Sequence, residues 1–286
     1  MTSVDSDRAP SRPAESRHGP IAQLLIAWAP LSGILVAYAI AQWISSPLAD
    51  PSGVGETNRL GFPLHVAGPP RVDEAVFGAV PTVSLQQQLV DGAPHWYDGV
   101  AALIYVTHFV AIPLVTGLVW FRMRDRFGAW LAAILTFTVV GVTGYVVYPA
   151  APPWWASEQD RIGVVDRISG IGWHYLNLEP IARLTEFSQG RSNPVAAMPS
   201  LHAGAALLVA LFLWTSVGNR VRTALLLYAG LMALVLVYTG EHYVVDVVVG
   251  WLTAGVAVAA SRALRRRGST RRRHLSTVAP GSRGGP

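Results

Sequence analysis

The sequence contains neither cysteine nor lysine. All 22 basic residues among its 286 residues are arginine. Without cysteine the chain cannot form disulfides, thiolate nucleophiles or cysteine-ligated metal sites. Without lysine it cannot form a Schiff base or hold a phosphate with an ammonium group. Any bound phosphate must therefore be held by arginine or by neutral donors.

Charged residues are scarce as well. They make up 14% of the chain, whereas 51% of the residues are hydrophobic and the mean hydropathy is +0.37. This composition is too apolar for an ordinary soluble domain and indicates a membrane protein. No internal repeat is visible, and the motifs typical of soluble nucleotide or nucleic-acid binding are missing. We expect the membrane bilayer and no nucleic acid as partner, and the oligomeric state stays open.

Six apolar segments are long enough, or nearly so, to cross a bilayer, which requires roughly 20 residues per helix. They lie at about 22–44, 100–121, 129–149, 202–217, 223–239 and 241–262. The sequence thus predicts an all-α fold, a six-transmembrane-helix bundle, in one membrane domain covering residues 21–263. Residues 1–20 and the arginine-rich residues 264–286 are predicted to be disordered tails.

The distribution of arginine predicts the orientation in the membrane. With both termini in the cytoplasm, 16 arginines lie on the cytoplasmic side and 6 outside, as the positive-inside rule requires. The long loops 45–99 and 149–201 then face outward. The first span could be a cleaved signal peptide, because Ala39-Ile40-Ala41 is similar to a cleavage site, but its long apolar run favours a retained anchor.

Three ionisable residues in the predicted spans form a chemical pattern. His202 opens the fourth span and His242 opens the sixth, 40 residues later, so one helical hairpin returns both to the outer surface. His242 and Asp246 are four apart and share a helix face. Asp246 can hold Nδ1–H of His242, leaving Nε2 free as a nucleophile. His202 would serve as acid and then base.

The segment Pro199-Ser200-Leu201-His202 stands where a helix begins. Unpaired N–H groups and the positive end of the helix dipole favour an anion there, so Ser200 and Leu201 are candidates for phosphate binding. Ser200 could instead be an ordinary N-cap residue. His242 and Asp246 could likewise be a hydrogen-bonded pair that only specifies helix packing. Placing His202 and this pair together at one face of the membrane is energetically costly, however, and this favours a functional role.

These residues resemble the phosphatidic-acid phosphatase type 2 (PAP2) superfamily. The motifs that carry the resemblance are Ala197-Met198-Pro199-Ser200-Leu201-His202 and Gly240-Glu241-His242-Tyr243-Val244-Val245-Asp246. Leu201 stands where ordinary members carry glycine. Together with Gly250 and the segment from Tyr148 to Trp154, it is similar to the branch containing inositol phosphorylceramide synthase, an inositolphosphotransferase-like branch.

The resemblance implies a six-helix enzyme that requires no metal and no cofactor. It implies that His242 attacks phosphorus, Asp246 orients His242, and His202 protonates the leaving oxygen. The chain departs from the ordinary motif by carrying Val235 and Leu236 where a serine–arginine pair is usual. The phosphate must then be bound elsewhere, and Arg191 is the first candidate; the alternatives are Arg161, Arg167 and Arg183.

Four further residues are weighed with the site. Tyr105 and His108 lie one turn apart in the second span, where they line the catalytic cavity or make only structural contacts. Tyr148 begins a proline-rich segment that cannot continue a helix, and the resemblance gives it a possible cavity-lining role. Glu241 is expected to offset the dipole of the first helical turn.

The leading hypothesis is a lipid-phosphate phosphatase or lipid phosphotransferase that works through a phosphohistidine at the extracytoplasmic face. Its donor would be a lipid phosphate, a lipid diphosphate or a phospholipid, and its acceptor water or an alcohol such as inositol. A transporter that relays protons or ions is the main alternative, but clustering at one face and the lack of an inverted repeat count against it. A purely structural bundle and a metal-dependent hydrolase are the others.

Overall fold

The structure, a computed structural model, describes residues 19–49 and 55–277, and all regular secondary structure within those ranges is helical. Its α-helices are α1 (Pro20–Trp28), α2 (Ser32–Ser45), α3 (Gly68–Phe77), α4 (Pro81–Leu89), α5 (Trp96–Arg122), α6 (Phe127–Val147), α7 (Pro153–Glu158), α8 (Ile171–Tyr175), α9 (Glu179–Gln189), α10 (Leu201–Leu213), α11 (Asn219–Tyr238) and α12 (Val244–Thr277). The predicted all-α class is confirmed.

Within the described residues, five helical segments are long and apolar enough to cross a membrane. They are Pro20–Leu48, Trp96–Arg122, Arg124–Val147, Asn219–Tyr238 and Val244–Arg266. The first joins α1 and α2 through a short 3₁₀ turn. Helix α10 is apolar, but its 13 residues are fewer than the roughly 20 that a bilayer requires. The count of six spans therefore stays a prediction, whereas the multi-pass helical bundle is confirmed.

The carboxy-terminal helix runs further than expected. Helix α12 continues to Thr277, so the predicted boundary at residue 263 falls inside it. Arginine has a high helix propensity, and extending an existing helix requires no new nucleation. The arginine-rich segment can therefore continue α12, although its charged composition is also typical of a disordered tail. Residues 278–286 lie outside the described residues, and so do residues 1–18 of the predicted amino-terminal tail.

Helices α6, α10 and α12 pack together at the centre of the bundle. Glycines let their backbones approach closely. A Cβ at Gly250 would collide with the Ser200 carbonyl group, and one at Gly204 would lie 2.7 Å from the Gly250 carbonyl oxygen. The start of α10 is therefore fixed against the first turns of α12.

Short helices fill the two segments predicted as outer loops. Helix α3 contacts α12, α4 contacts α11, and α8 contacts α5. Asp73 of α3 makes the contact that matters most for the site, because its carboxylate accepts hydrogen bonds from the N–H groups of Val244 (2.8 Å) and Val245 (2.9 Å). Burial raises the pKa of Asp73, and these two bonds partly offset that effect.

Asp73 thus caps α12 from another part of the chain. An N-terminal carboxylate satisfies the unpaired N–H groups and complements the helix dipole. Because the donors of Val244 and Val245 are taken, the start of α12 is already neutralised by a carboxylate.

Candidate active site

His202 is the second residue of α10, and the residues before it determine its position. Ser200 is the N-cap of this helix, since its Oγ accepts the N–H of Ala203 at 3.3 Å. The Ser200 N–H donates to the Asp246 carbonyl oxygen at 2.9 Å, which ties the start of α10 to α12. The Leu201 N–H lies near the Tyr145 hydroxyl group. The helix therefore begins where predicted, and Ser200 acts as its cap.

His242 lies in the turn between α11 and α12. Gly240 adopts a left-handed conformation there (φ 78°), and the His242 N–H donates to the Leu236 carbonyl oxygen at 3.2 Å. Helix α12 begins only at Val244, so the prediction that His242 and Asp246 share one helix is wrong for His242. Because the turn also depends on the left-handed Gly240 and on Asp73 from a distant segment, its geometry could not be deduced from the four-residue spacing.

Asp246 nevertheless reaches back to His242. Its Oδ2 accepts the Tyr243 N–H at 2.9 Å and lies 3.5 Å from Nδ1 of His242. Asp246 is fully buried, and His242 is 4% exposed. Among the described residues, His242 Nδ1 and Asp246 Oδ1 have no hydrogen-bond partner. Catalytic hydrogen bonds often tighten only when substrate binds, and here Nδ1 faces the carboxylate, so Nε2 is the nitrogen left for chemistry.

Aromatic rings surround His202. Its ring is stacked on Tyr105, with centroids 5.4 Å apart, and tilted against His108 at 4.0 Å. The His242 ring lies further away, at 5.9 Å. Carbon atoms in contact are about 3.5–4 Å apart, so the two catalytic candidates do not stack on each other. The ring contacts with Tyr105 and His108 fix the orientation of the His202 ring.

A charged network adjoins His242. Arg167 donates from Nε to Glu241 Oε1 at 2.9 Å and from Nη2 to Oε2 at 3.0 Å. Ser169 Oγ donates to Glu241 Oε1 at 2.5 Å, and Gln189 Nε2 donates to Ser169 Oγ at 2.6 Å. Glu241 precedes α12, so its expected place in the first helical turn is wrong. Its carboxylate instead fixes a guanidinium beside the histidines.

The Arg191 guanidinium, the first candidate for phosphate binding, packs on an aromatic ring. Arg191 is exposed, its guanidinium stacks on Phe187 at 3.9 Å, and its carbonyl oxygen accepts Gln42 Nε2. Arg183 is exposed on α9, and Arg161 lines a separate outer cavity. Of the four loop arginines considered from the sequence, the structure brings Arg167 next to the histidines.

Tyr148 directly follows the end of α6. Its ring stacks on His65, with centroids 3.7 Å apart. Burial raises the pKa of the Tyr148 hydroxyl group, and the charge of Asp246 acts in the same direction. The stacking on His65 therefore packs the Tyr148 ring against the segment between α2 and α3.

Several site residues escaped the sequence analysis. Asp73, Ser169 and Gln189 come from segments without a recognisable motif. The available signal was Glu241 itself, because a carboxylate buried within the histidine motif is almost always paired and would need an arginine partner. Among the described residues, no group of three or more histidine, aspartate or glutamate side chains is arranged to hold a metal ion.

The sequence model of the PAP2 superfamily matches residues 71–260. Phosphoinositol dihydroceramide synthase of Bacteroides thetaiotaomicron is 28% identical over 203 residues, covering 66% of this chain and 64% of the relative. The catalytic subunit of inositol phosphorylceramide synthase from Schizosaccharomyces pombe is 27% identical over 164 residues, or 56% of this chain and 39% of that protein.

These alignments span less than two thirds of each relative. No solved structure matches the chain. The names of both relatives agree with the branch that Leu201, Gly250 and the segment from Tyr148 suggested, and the family match agrees with the superfamily. The resemblance seen in the motifs is thereby confirmed.

Proposed function

We propose, from the premise that this chain belongs to the PAP2 superfamily, that it is a membrane enzyme transferring phosphoinositol from a phospholipid to a ceramide-type lipid. One observation carries the proposal: His242, with Asp246 at its Nδ1, stands 5.9 Å from His202 in ring-centroid distance. Both relatives bear names of enzymes that make inositol-containing phosphorylated ceramides, which supports the choice of donor and acceptor class.

In the first step, the Nε2 lone pair of His242 forms a bond to phosphorus. The bond from phosphorus to the glycerol oxygen of the donor breaks, and that oxygen leaves with the electron pair. Protonated His202 gives it a proton, so diacylglycerol departs as a neutral alcohol. The carboxylate of Asp246 stabilises the positive charge that His242 acquires.

In the second step, His202, now neutral, takes a proton from the hydroxyl group of the acceptor lipid. The acceptor oxygen forms a bond to phosphorus, and the bond between phosphorus and His242 Nε2 breaks. Both histidines return to their starting protonation states. The stacking of His202 on Tyr105 and its contact with His108 keep the ring positioned for both proton transfers, and positioning supplies much of the rate in phosphoryl transfer.

Arg167 is our candidate for binding the phosphate oxygens. A guanidinium carries five N–H donors. The ion pair with Glu241 uses Nε and one Nη2 donor, and Nη1 makes a long bond of 3.4 Å to the Gln189 carbonyl oxygen. At least two donors are left, and the bidentate pairing fixes the plane of the guanidinium before substrate arrives. Such preorganised charge is what phosphoryl transfer requires.

The active site is proposed to face the extracytoplasmic side. Arginines cluster at the opposite ends of the helices: Arg122 at the end of α5, Arg220 at the start of α11 and Arg262 far along α12. In membrane proteins such an excess marks the cytoplasmic side. Both termini are then cytoplasmic, and the lipids exchange headgroups at the outer leaflet.

A product assay tests the proposed activity. Purified full-length protein in detergent is given phosphatidylinositol labelled in the inositol ring, with and without ceramide. We expect labelled inositol phosphorylceramide and unlabelled diacylglycerol in equal amounts, and little product when ceramide is omitted. Release of water-soluble inositol phosphate at the same rate without ceramide would show a phosphatase instead.

Replacing Arg167 by alanine is expected to weaken inhibition by vanadate, a phosphate analogue, and to lower the transfer rate about 10²-fold, the usual cost of losing one preorganised charge. Arg191→Ala should leave both quantities within about twofold, because the Arg191 guanidinium packs on Phe187 and surface substitutions usually have small effects. Arg167→Lys should restore only part of the activity, since a point charge does not reproduce the guanidinium fork. The reverse order of effects would return the assignment to Arg191.

The control addresses the unpaired carboxylate that Arg167→Ala leaves behind. In the double variant Arg167→Ala, Glu241→Gln no buried charge is left without its partner. If Arg167 serves only to neutralise Glu241, the double variant should recover activity. If the guanidinium binds phosphate, the double variant stays as weak as Arg167→Ala.

A further inference from the structure

A basic cavity lies at the end of the bundle opposite the histidines. It has a volume of about 430 Å³ and is lined by Arg126, Ala129, Phe212, Thr215, Val258, Ser261, Arg262, Arg265 and Arg266. Arg262 follows Asp246 by 16 residues along α12, which is about 24 Å of helix. The cavity is thus separated from the candidate active site by most of the bilayer thickness, about 30 Å.

Two of its arginines are anchored to the end of α10. Arg126 Nη2 donates to the Phe212 carbonyl oxygen at 3.1 Å, and its guanidinium lies 4.9 Å from the centroid of the Phe212 ring. Arg262 Nη2 donates to the Leu211 carbonyl oxygen at 3.3 Å. Cations near a helix carboxyl terminus complement its dipole, so the fold holds both guanidinium groups at the cavity while most of their donors stay available.

The lining residues include no carboxylate. Within the part of the chain that the structure describes, Arg126, Arg262 and Arg265 form no ion pair within 4.0 Å. Converging guanidinium groups repel one another, and an anion placed between them removes that repulsion and accepts several charge-assisted hydrogen bonds. The charge pattern therefore calls for an anionic ligand with several oxygens, such as a phosphate group.

The rest of the lining indicates where that phosphate comes from. Ala129, Phe212 and Val258 give the cavity an apolar floor, which a free inorganic anion would not use. Exposed apolar side chains also occur at this end of the bundle, with Trp214 at 37% and Leu264 at 56% exposure, so acyl chains can lie beside the helices while the headgroup enters the cavity. A volume of about 430 Å³ falls within the common range for ligand sites, about 300–1,000 Å³.

We propose that this cavity binds the headgroup of an anionic phospholipid in the leaflet opposite the active site. Basic pockets between transmembrane helices are suited to such headgroups. The bound phosphate would bridge Arg126 and the α12 arginines, joining the start of α6 to α12. Because both helices also carry residues of the histidine site, the lipid would stabilise the bundle without taking part in the reaction.

The test compares two double variants that remove the same charge. Arg262→Gln, Arg265→Gln removes two cavity arginines. Arg122→Gln, Arg220→Gln removes two exposed arginines at the same end of the bundle that do not line the cavity. Full-length protein in detergent is titrated with phosphatidylglycerol or with phosphatidylcholine, and lipid binding is measured by native mass spectrometry, with thermal unfolding of the lipid-free variants as the check on folding.

We expect the cavity variant to bind phosphatidylglycerol about thirtyfold more weakly than the unaltered protein, with one site lost. The matched variant should stay within about threefold, and phosphatidylcholine should bind weakly to all three proteins. Equal weakening in both variants would show general attraction to a basic surface and would overturn the proposal. Displacement of the lipid by low concentrations of inorganic phosphate would assign the cavity to a soluble anion, which also contradicts the lipid site.

Discussion

Alanine in place of His242 is expected to reduce headgroup transfer by about 10⁴- to 10⁶-fold, the loss seen when a covalent nucleophile or its close partner is removed. In the proposed mechanism, Nε2 of His242 is the atom that bonds to phosphorus. Asp246 would still be buried beside the vacated position, and His202 would still be stacked on Tyr105. No other described side chain is held by a buried carboxylate at the same place, so the first step has no substitute.

The matched control is His174→Ala. His174 is also paired with a carboxylate, Glu179 at 2.9 Å, which raises the pKa of His174, but it lies on α8, outside the histidine site. We expect this variant to keep most of its activity. Added imidazole should partly restore the His242→Ala enzyme by occupying the vacated position. Full activity of His242→Ala without imidazole would show that the reaction does not proceed through a phosphohistidine on His242.

The spans were predictable because bilayer crossing is a local property of the sequence. About 20 apolar residues in a row allow few alternatives, and the predicted segments for α5, α6, α11 and α12 correspond to helices in the structure. The proximity of His202 and His242 followed from the same reasoning, because a helical hairpin returns to the surface where it began. Helix α12 continues beyond residue 263, where an arginine-rich composition does not by itself distinguish a helix end from a tail.

The details of the site were less predictable because they depend on contacts between distant segments. His242 lies in a turn fixed by Gly240 and by Asp73, which is 171 residues from Val244 in the sequence. The arginine beside the histidines is Arg167, held by Glu241 across 74 residues. Arg191 was chosen for its closeness to Ser200 along the chain, but the turn after α9 points its guanidinium onto Phe187. In the segments that connect helices, two residues close in the sequence can have side chains that lie far apart in space.

The two histidines have different proposed roles, so His202→Ala is expected to affect the two chemical steps differently. Departure of a glycerol oxygen requires a proton, so with phosphatidylinositol this variant should lose about 10²- to 10⁴-fold in rate, the range typical of general acid–base catalysis. A nitrophenyl phosphodiester of inositol needs no such help, because its leaving group departs as a stable anion. The first step should then proceed nearly normally in His202→Ala.

The second step still lacks its base, since no neutral His202 can take the proton of the acceptor hydroxyl group. His202→Ala should therefore release one equivalent of nitrophenolate per active site in a rapid burst and then stall. Inositol phosphate should remain attached to His242 through a bond that is labile in acid and stable in base. Rapid-mixing absorbance measures the burst, and mass spectrometry of the quenched protein locates the adduct.

The double variant His202→Ala, His242→Ala provides the control, because it lacks the nucleophile and should show neither burst nor adduct. Continued turnover of His202→Ala after the burst would mean that another group activates the acceptor. His108, with its ring 4.0 Å from that of His202, would be the first residue to examine, and the assignment of His202 as the base would then be wrong. An adduct that persists in the double variant would place the nucleophile on a residue other than His242.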